Sequence, residues 1–136
     1  MSDLKHADIT GQILKSFFEV YNFLGYGFLE KVYENALTLE LRRAGLTVQQ
    51  QRPITVLYKE SAVGEYYADL LVQDVVLVEL KVAEHLALSH EAQLLNYLRA
   101  TNIEVGLLLN FGPKPEHKRK LYTKDKKPLL SVLIDP

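Results

Sequence analysis

The stretch Tyr67-Ala-Asp-Leu-Leu-Val-Gln-Asp-Val-Val-Leu-Val-Glu-Leu-Lys81 plants two carboxylates, Asp69 and Glu79, and one ammonium, Lys81, among residues that otherwise favour burial. Charge inside an apolar strand is costly unless it is paired or binds a metal. The apolar runs on either side of Gln73-Asp74 read as a β-hairpin, Glu65–Val72 with Val75–Val82. Side chains alternate across a strand, so Val75, Leu77, Glu79 and Lys81 share one face and Val76, Val78 and Leu80 the other. The turn decides where Asp69 falls. A two-residue turn at Gln73-Asp74 sets it opposite Val78, with the wrong parity; a three-residue loop or a bulge sets it opposite Glu79. Joint chemistry from Asp69 and Glu79 therefore demands an irregular hairpin.

Outward from this hairpin, the chain alternates helical and strand-like text. Ile9, Ile13, Leu14, Phe17, Phe18 and Tyr21 recur at helical spacing, predicting a helix from about Asp8 to Phe23, broken by Gly25 and Gly27. A second helix is expected from about Phe28 to Ala44, with Leu29, Val32, Tyr33, Ala36, Leu37 and Leu41 inward and Gly45 as its stop. Thr47–Tyr58 is β-rich but holds Pro53, the mark of an edge or bent strand. Lys59–Gly64 reads as a turn, Leu88 to Ala100 as a third helix and Glu104–Asn110 as a last apolar strand. The order ααβββαβ, with central strands apolar on both sides, implies an α/β sheet covered by helices. Beyond Gly112-Pro113 the pattern assigns no element.

Composition narrows the class. The 136 residues are 48% apolar and 24% charged, suited to one soluble globular domain over residues 1–136. No apolar run is long enough to span a bilayer, and Met-Ser-Asp-Leu-Lys-His lacks the order of a secretory signal, so no membrane association is expected. Zero Cys rules out disulfides and thiolate metal sites and makes a reducing cytoplasm the default location. Net charge is −1 but unevenly spread. Lys114–Lys127 carries seven Lys or Arg against two acids, a local +5, which leaves −6 on the remainder. Such a basic C-terminal segment could steer a polyanion, although a solvated tail is the simpler reading.

The charged set has a shared chemistry. Mg²⁺ prefers hard oxygen ligands, keeps several waters and takes one or two carboxylates plus substrate phosphate. Asp69 and Glu79 suit such an ion, and a neighbouring ammonium, Lys81, suits an attacking water and a phosphate. Asp-xn-Glu-x-Lys is the arrangement of Mg²⁺-dependent phosphodiesterases; alone, Glu-x-Lys is more often an exposed ion pair. Two one-turn pairs add to it. Glu30 and Tyr33 open the second helix, where structure alone explains them as a dipole-favouring acid and a core-edge aromatic. Gln93 and Tyr97 lie on the third helix, where a buried Gln can simply satisfy a backbone group.

Gly27-x-x-Glu30-x-x-Tyr33 resembles the name-giving motif of the GxxExxY proteins, a group assigned to the PD-(D/E)XK nuclease superfamily. The resemblance runs from about Ile9 to Arg119 and includes Ala68-Asp69-Leu-Leu-Val, Val78-Glu79-Leu-Lys81, Glu91-Ala-Gln93-Leu-Leu-Asn-Tyr97 and Asn110-Phe-Gly. Ala68 stands where the superfamily motif has Pro. The resemblance implies a restriction-endonuclease-like αβββαβ sandwich. It also implies a nuclease hydrolysing phosphodiester bonds in nucleic acid, DNA before RNA, with Mg²⁺ or Mn²⁺ as cofactor. Glu30, Asp69, Glu79 and the Leu80 carbonyl would hold the metal, and Lys81 would position the attacking water. Gln93 would support the water or Lys81, while Tyr33, Tyr97, Lys118 and Arg119 would meet substrate. Pairing into a homodimer is compatible with the family, but no residue names an interface. The alternative is a nuclease-like fold that binds nucleic acid without cleaving it, or serves as a scaffold.

Other patterns carry less. Gly25-Tyr-Gly27 follows a helix and lacks the third glycine of a dinucleotide loop. His85 and His90 are five apart, poorly spaced for a shared zinc. Tyr66, Tyr67 and Tyr122 could stack on bases, but packing at a sheet edge is the commoner use of tyrosine.

Overall fold

The computed structural model describes residues 4–126. Its elements are α1 (Ala7–Leu24), α2 (Glu30–Arg43), β1 (Val48–Tyr58), β2 (Ser61–Val72), β3 (Val76–Lys81), α3 (Leu88–Arg99), β4 (Val105–Phe111) and β5 (Pro115–Leu121), then a short 3₁₀ turn at Lys124–Lys126. The strands form one sheet in the order β1-β2-β3-β4-β5. All neighbours are antiparallel except β3 and β4, which run parallel because α3 carries the chain across between them. No helix among the described residues is long and apolar enough to cross a membrane.

The apolar positions decide the layering. Ile13 and Phe17 of α1 and Tyr33, Leu37 and Leu41 of α2 pack with Val78, Leu80, Leu107 and Leu109 on one face of the sheet. Leu94 and Leu98 of α3 pack with Leu77 and Leu108 on the other. This mixed sheet between helices is consistent with the restriction-endonuclease-like sandwich.

Three expectations need correction. The turn read as Lys59–Gly64 is only Lys59-Glu60, both in left-handed backbone (φ 48° and 74°), with Tyr58 facing Ser61. That is the geometry of a two-residue hairpin, more often built from Asn or Gly, so the spelling hid it. Strand β2 consequently starts earlier and makes a long arm with β1. Edge strand β1 does accommodate Pro53. The second correction is β5, antiparallel to β4 and absent from the sequence reading. Much of the basic segment is therefore edge strand rather than solvated tail; Lys127 lies outside the described residues. Third, the second helix begins at Glu30 rather than at about Phe28, because Leu29 is extended (ψ 153°), and Leu29 and Val32, expected inward, are exposed.

The long arm changes sides. Val48, Leu70 and Val72 belong to the core under α1 and α2, whereas Ile54 and Ala68, of the same parity, belong to the core under α3. The exchange falls at Gln51 and Asp69, which the constant register (Gln50 with Leu70, Arg52 with Ala68) sets opposite one another. Gln51 is left-handed there, φ 55°.

The loop after β3 is anchored from β4. Buried Asn110 accepts from the Ala83 N–H and donates to the Ala83 carbonyl, both at 2.9 Å, and also donates to Glu116 at 3.0 Å. Gly112 completes this close approach, since a Cβ there would stand 1.9 Å from the Ala83 carbonyl oxygen. Gly112→Ala should force the two loops apart and cost about 1–3 kcal/mol, read as a lower urea midpoint at unchanged m-value.

Candidate active site

The β2–β3 ladder pairs Leu70 with Val78, Leu71 with Leu77 and Val72 with Val76, leaving Gln73, Asp74 and Val75 as a three-residue connection. Gln73 and Asp74 are both left-handed (φ 53° and 60°), and the Val75 N–H closes the turn on the Val72 carbonyl at 3.1 Å. Gln73 holds this shape by bonding back to Thr47: its side-chain oxygen accepts from the Thr47 N–H at 2.6 Å, and its own N–H donates to the Thr47 carbonyl at 2.9 Å. The odd loop length continues the register so that Asp69 faces Glu79, the irregular hairpin the chemistry required.

At that level the ordinary ladder gives way to a crossed pair. The Asp69 N–H donates to Glu79 Oε2 and the Leu80 N–H donates to Asp69 Oδ2, each at 2.8 Å. Each carboxylate thus stands in for the carbonyl that the opposite strand would have supplied. Glu79 is buried, at 4% exposure. Burial first, and the charge of Asp69 second, push its carboxyl up to about 8. Asp69 is raised too, chiefly by burial and then by Glu34, against the lowering effect of the Leu80 N–H, Gln51 and Lys81.

Lys81 follows on the same face of β3 and donates to Gln93 Oε1 at 3.3 Å. Gln93 Nε2 donates in turn to the Tyr97 hydroxyl at 3.2 Å, so α3 presents its one-turn pair directly to the lysine. Burial, then the charges of Glu79 and Asp69, push the Tyr97 phenol up to about 12, keeping it a proton donor at ordinary pH.

Glu30 comes from the other layer. It is the first residue of α2 and lies exposed at the rim rather than bordering the core. Partial burial and then Asp69 raise its carboxyl. Gly27, at φ 125°, takes a backbone that side chains rarely adopt. Tyr33, expected to touch substrate, is instead fully buried: its ring stacks on Phe111, and its hydroxyl donates to the Gly25 carbonyl and accepts the Phe28 N–H at 3.2 Å. The Gly27, Glu30 and Tyr33 motif is therefore a pinned loop that delivers one carboxylate.

Lys118 and Arg119 part company. Lys118 faces the α3 side, near Glu91. Arg119 points to the α1 side and donates to the Lys5 carbonyl, so the fold does not bring it to the other residues.

Sequence reasoning missed Glu34 and Gln51. Glu34, one turn beyond Glu30, is buried at 3% exposure and takes bonds from Lys31 (3.1 Å), Gln50 (2.8 Å) and Gln51 (2.9 Å). The same Gln51 amide reaches Asp69 Oδ1 at 3.3 Å, bridging α2 to the crossed pair. A left-handed non-glycine backbone costs roughly 1–2 kcal/mol, and here it aims an amide between two carboxylates. The signal was available as the polar run Gln49-Gln50-Gln51 inside strand-like text.

Two facing carboxylates whose acidity is suppressed by burial first and by neighbouring acids second are a hard-oxygen set that a divalent cation would relieve, which fits Mg²⁺ or Mn²⁺. Among the described residues no three His, Cys, Asp or Glu side chains form a metal-holding group, so Glu30 does not close a cage with Asp69 and Glu79. An ion held by this pair alone would keep its remaining positions for water or another ligand.

Comparison with known proteins supplies the family. A family model described as PD-(D/E)XK nuclease superfamily matches residues 7–120, which span α1 to β5. No curated protein matches the chain. Among solved structures, the crystal structure of SSO0001 aligns over 93% of this chain and 80% of its own, at 10% identity and a TM-score of 0.40, a likeness too slight to carry any argument.

Two outcomes test the site's electrostatics and strain. Folded Glu79 keeps its proton to about 8, while the unfolded chain releases it near 4.5. Metal-free protein should therefore lose thermal stability as pH rises between those values, because the unfolded state then binds fewer protons; Glu79→Gln should flatten that slope. At Gln51, loss of the amide should destabilise by about 1.5–3 kcal/mol. Gln51→Gly should match or exceed Gln51→Ala in urea denaturation, the reverse of the order at ordinary strand positions.

Proposed function

As this chain belongs to the PD-(D/E)XK nuclease superfamily, we propose that it is a Mg²⁺- or Mn²⁺-dependent nuclease of the GxxExxY type, acting on nucleic acid, DNA in the first place. The observation that supports this most is the crossed Asp69–Glu79 pair with Lys81 two residues beyond on the same face. A scaffold has no need of two facing carboxylates that burial holds above their ordinary range.

In this reading Asp69, Glu79 and the Leu80 carbonyl would hold the metal, with Glu30 at the rim near Asp69. The bound ion would supply Lewis acidity at a phosphate oxygen and a more acidic water. Lys81 orients an attacking water in line with phosphorus and stabilises the charge gathering on the phosphoryl oxygens. Water adds to phosphorus, the P–O bond to the leaving nucleoside breaks, and the products are a phosphomonoester and a free hydroxyl. Gln93 fixes the direction of Lys81 through its 3.3 Å bond. Because the Tyr97 oxygen already accepts from Gln93, its proton is directed elsewhere, and we assign it to a substrate phosphate oxygen. Lys118, on the α3 side, suits backbone steering better than Arg119.

Purified protein should cleave DNA or RNA when Mg²⁺ or Mn²⁺ is added and stop when the metal is chelated. Glu79→Ala and Lys81→Ala should each lower the rate at least about a hundredfold, the scale of losing one positioned electrostatic group. A wild-type chain silent on linear, single-stranded, flap and junction substrates would sink the enzymatic reading.

A further inference from the structure

Tyr66 is 47% exposed, and its ring lies against that of Tyr97, centroids 5.8 Å apart. Through Tyr97 and Gln93 it is two side chains removed from Lys81. It sits on the long β1–β2 arm, opposite buried Ile54, on the side where the arm has turned to face α3. The neighbouring Gly64 makes room for it: a Cβ there would stand 3.2 Å from the Tyr66 ring and 3.7 Å from Val56. The ring is thus held over bare backbone on one side and against Tyr97 on another, yet nearly half of it remains open to solvent. A large ring that is braced by Tyr97 and open beside the candidate site offers a face to a flat ligand.

Charge points to the same use. Outside Lys114–Lys127 the chain carries a net −6, so phosphate attraction away from that segment is weak. Stacking is indifferent to charge and tolerates any base. A paired base inside a duplex offers its faces to its neighbours and none to the protein. We infer that Tyr66, braced by Tyr97, is a stacking subsite for an unpaired nucleobase beside the scissile phosphate, which makes single-stranded or frayed nucleic acid the substrate class. This rests on the nuclease reading above and adds the form of the substrate to it.

The test separates the two claims. In the full chain carrying Lys81→Met, with Mg²⁺ present, a single-stranded oligonucleotide containing 2-aminopurine should show quenched fluorescence on binding. The quenching should survive Tyr66→Phe and vanish with Tyr66→Leu. In the otherwise wild-type chain, a single strand should be cleaved faster than the same sequence closed into a blunt hairpin duplex. Tyr66→Leu should cost about five- to a hundredfold in kcat/KM, mostly through KM, and cost little on a strand with an abasic position at that site. Absence of quenching with bound strand, an equal penalty on abasic and intact strands, or preference for the duplex would each overturn the subsite while leaving the nuclease reading intact. Quenching that depends on Tyr66 without any cleavage would do the opposite.

Discussion

Two hydrogen bonds exchanged between backbone and carboxylate, Asp69 N–H to Glu79 and Leu80 N–H to Asp69, let β2 and β3 part without orphaning their amides. A buried, unpaired N–H costs about as much as a lost hydrogen bond, so strands rarely separate inside a protein without a replacement acceptor. Here the replacement is the candidate catalytic pair itself. Each side chain is held by the opposite strand, so neither carboxylate can swing away without exposing a bare backbone donor. The same bonds bring two carboxyl groups together in a buried place, where burial and then the charge of Asp69 raise Glu79, a penalty that a cation would relieve.

Neutral amides do most of the holding around this pair. Gln51 bridges Asp69 and Glu34, Gln50 also serves Glu34, and Gln93 directs Lys81. An amide can orient a carboxylate or an ammonium without cancelling its charge, whereas a lysine or arginine in the same place would compete with a metal ion for the same oxygens. The charge of Glu34 is met from the rim by Lys31. Positioning and charge are thereby assigned to different residues, at the cost of one left-handed backbone at Gln51.

The helical layer supplies the site at longer range. Tyr33 joins the aromatic group of Phe17 and Phe111 and, through its hydroxyl, ties down the loop that begins α2. Tyr21 ties the end of α1 to the β4–β5 turn, donating to the Gly112 carbonyl at 2.6 Å. Asn110 ties that same turn to the loop after β3. Core packing and loop placement are therefore one network, and a substitution that loosens the helices would be felt at Glu30 before it reached the crossed carboxylates.

By itself the chain spelled out what depends on periodicity and local chemistry. The helices near Ile13, Leu37 and Leu94, the edge character imposed by Pro53, and the shared face of Glu79 and Lys81 follow from spacing alone, because helix and strand repeats are set by the backbone. The spelling posed the position of Asp69 as a choice of loop length; the fold made that choice, through bonds from Gln73 to Thr47 that lie 26 residues apart. It likewise decided that Tyr33 is buried and Tyr66 open, that Arg119 turns away from Lys118, and that Gln51 reaches both Glu34 and Asp69. Those outcomes depend on which strands meet and where an arm changes sides, and such long-range pairings leave no local period to read.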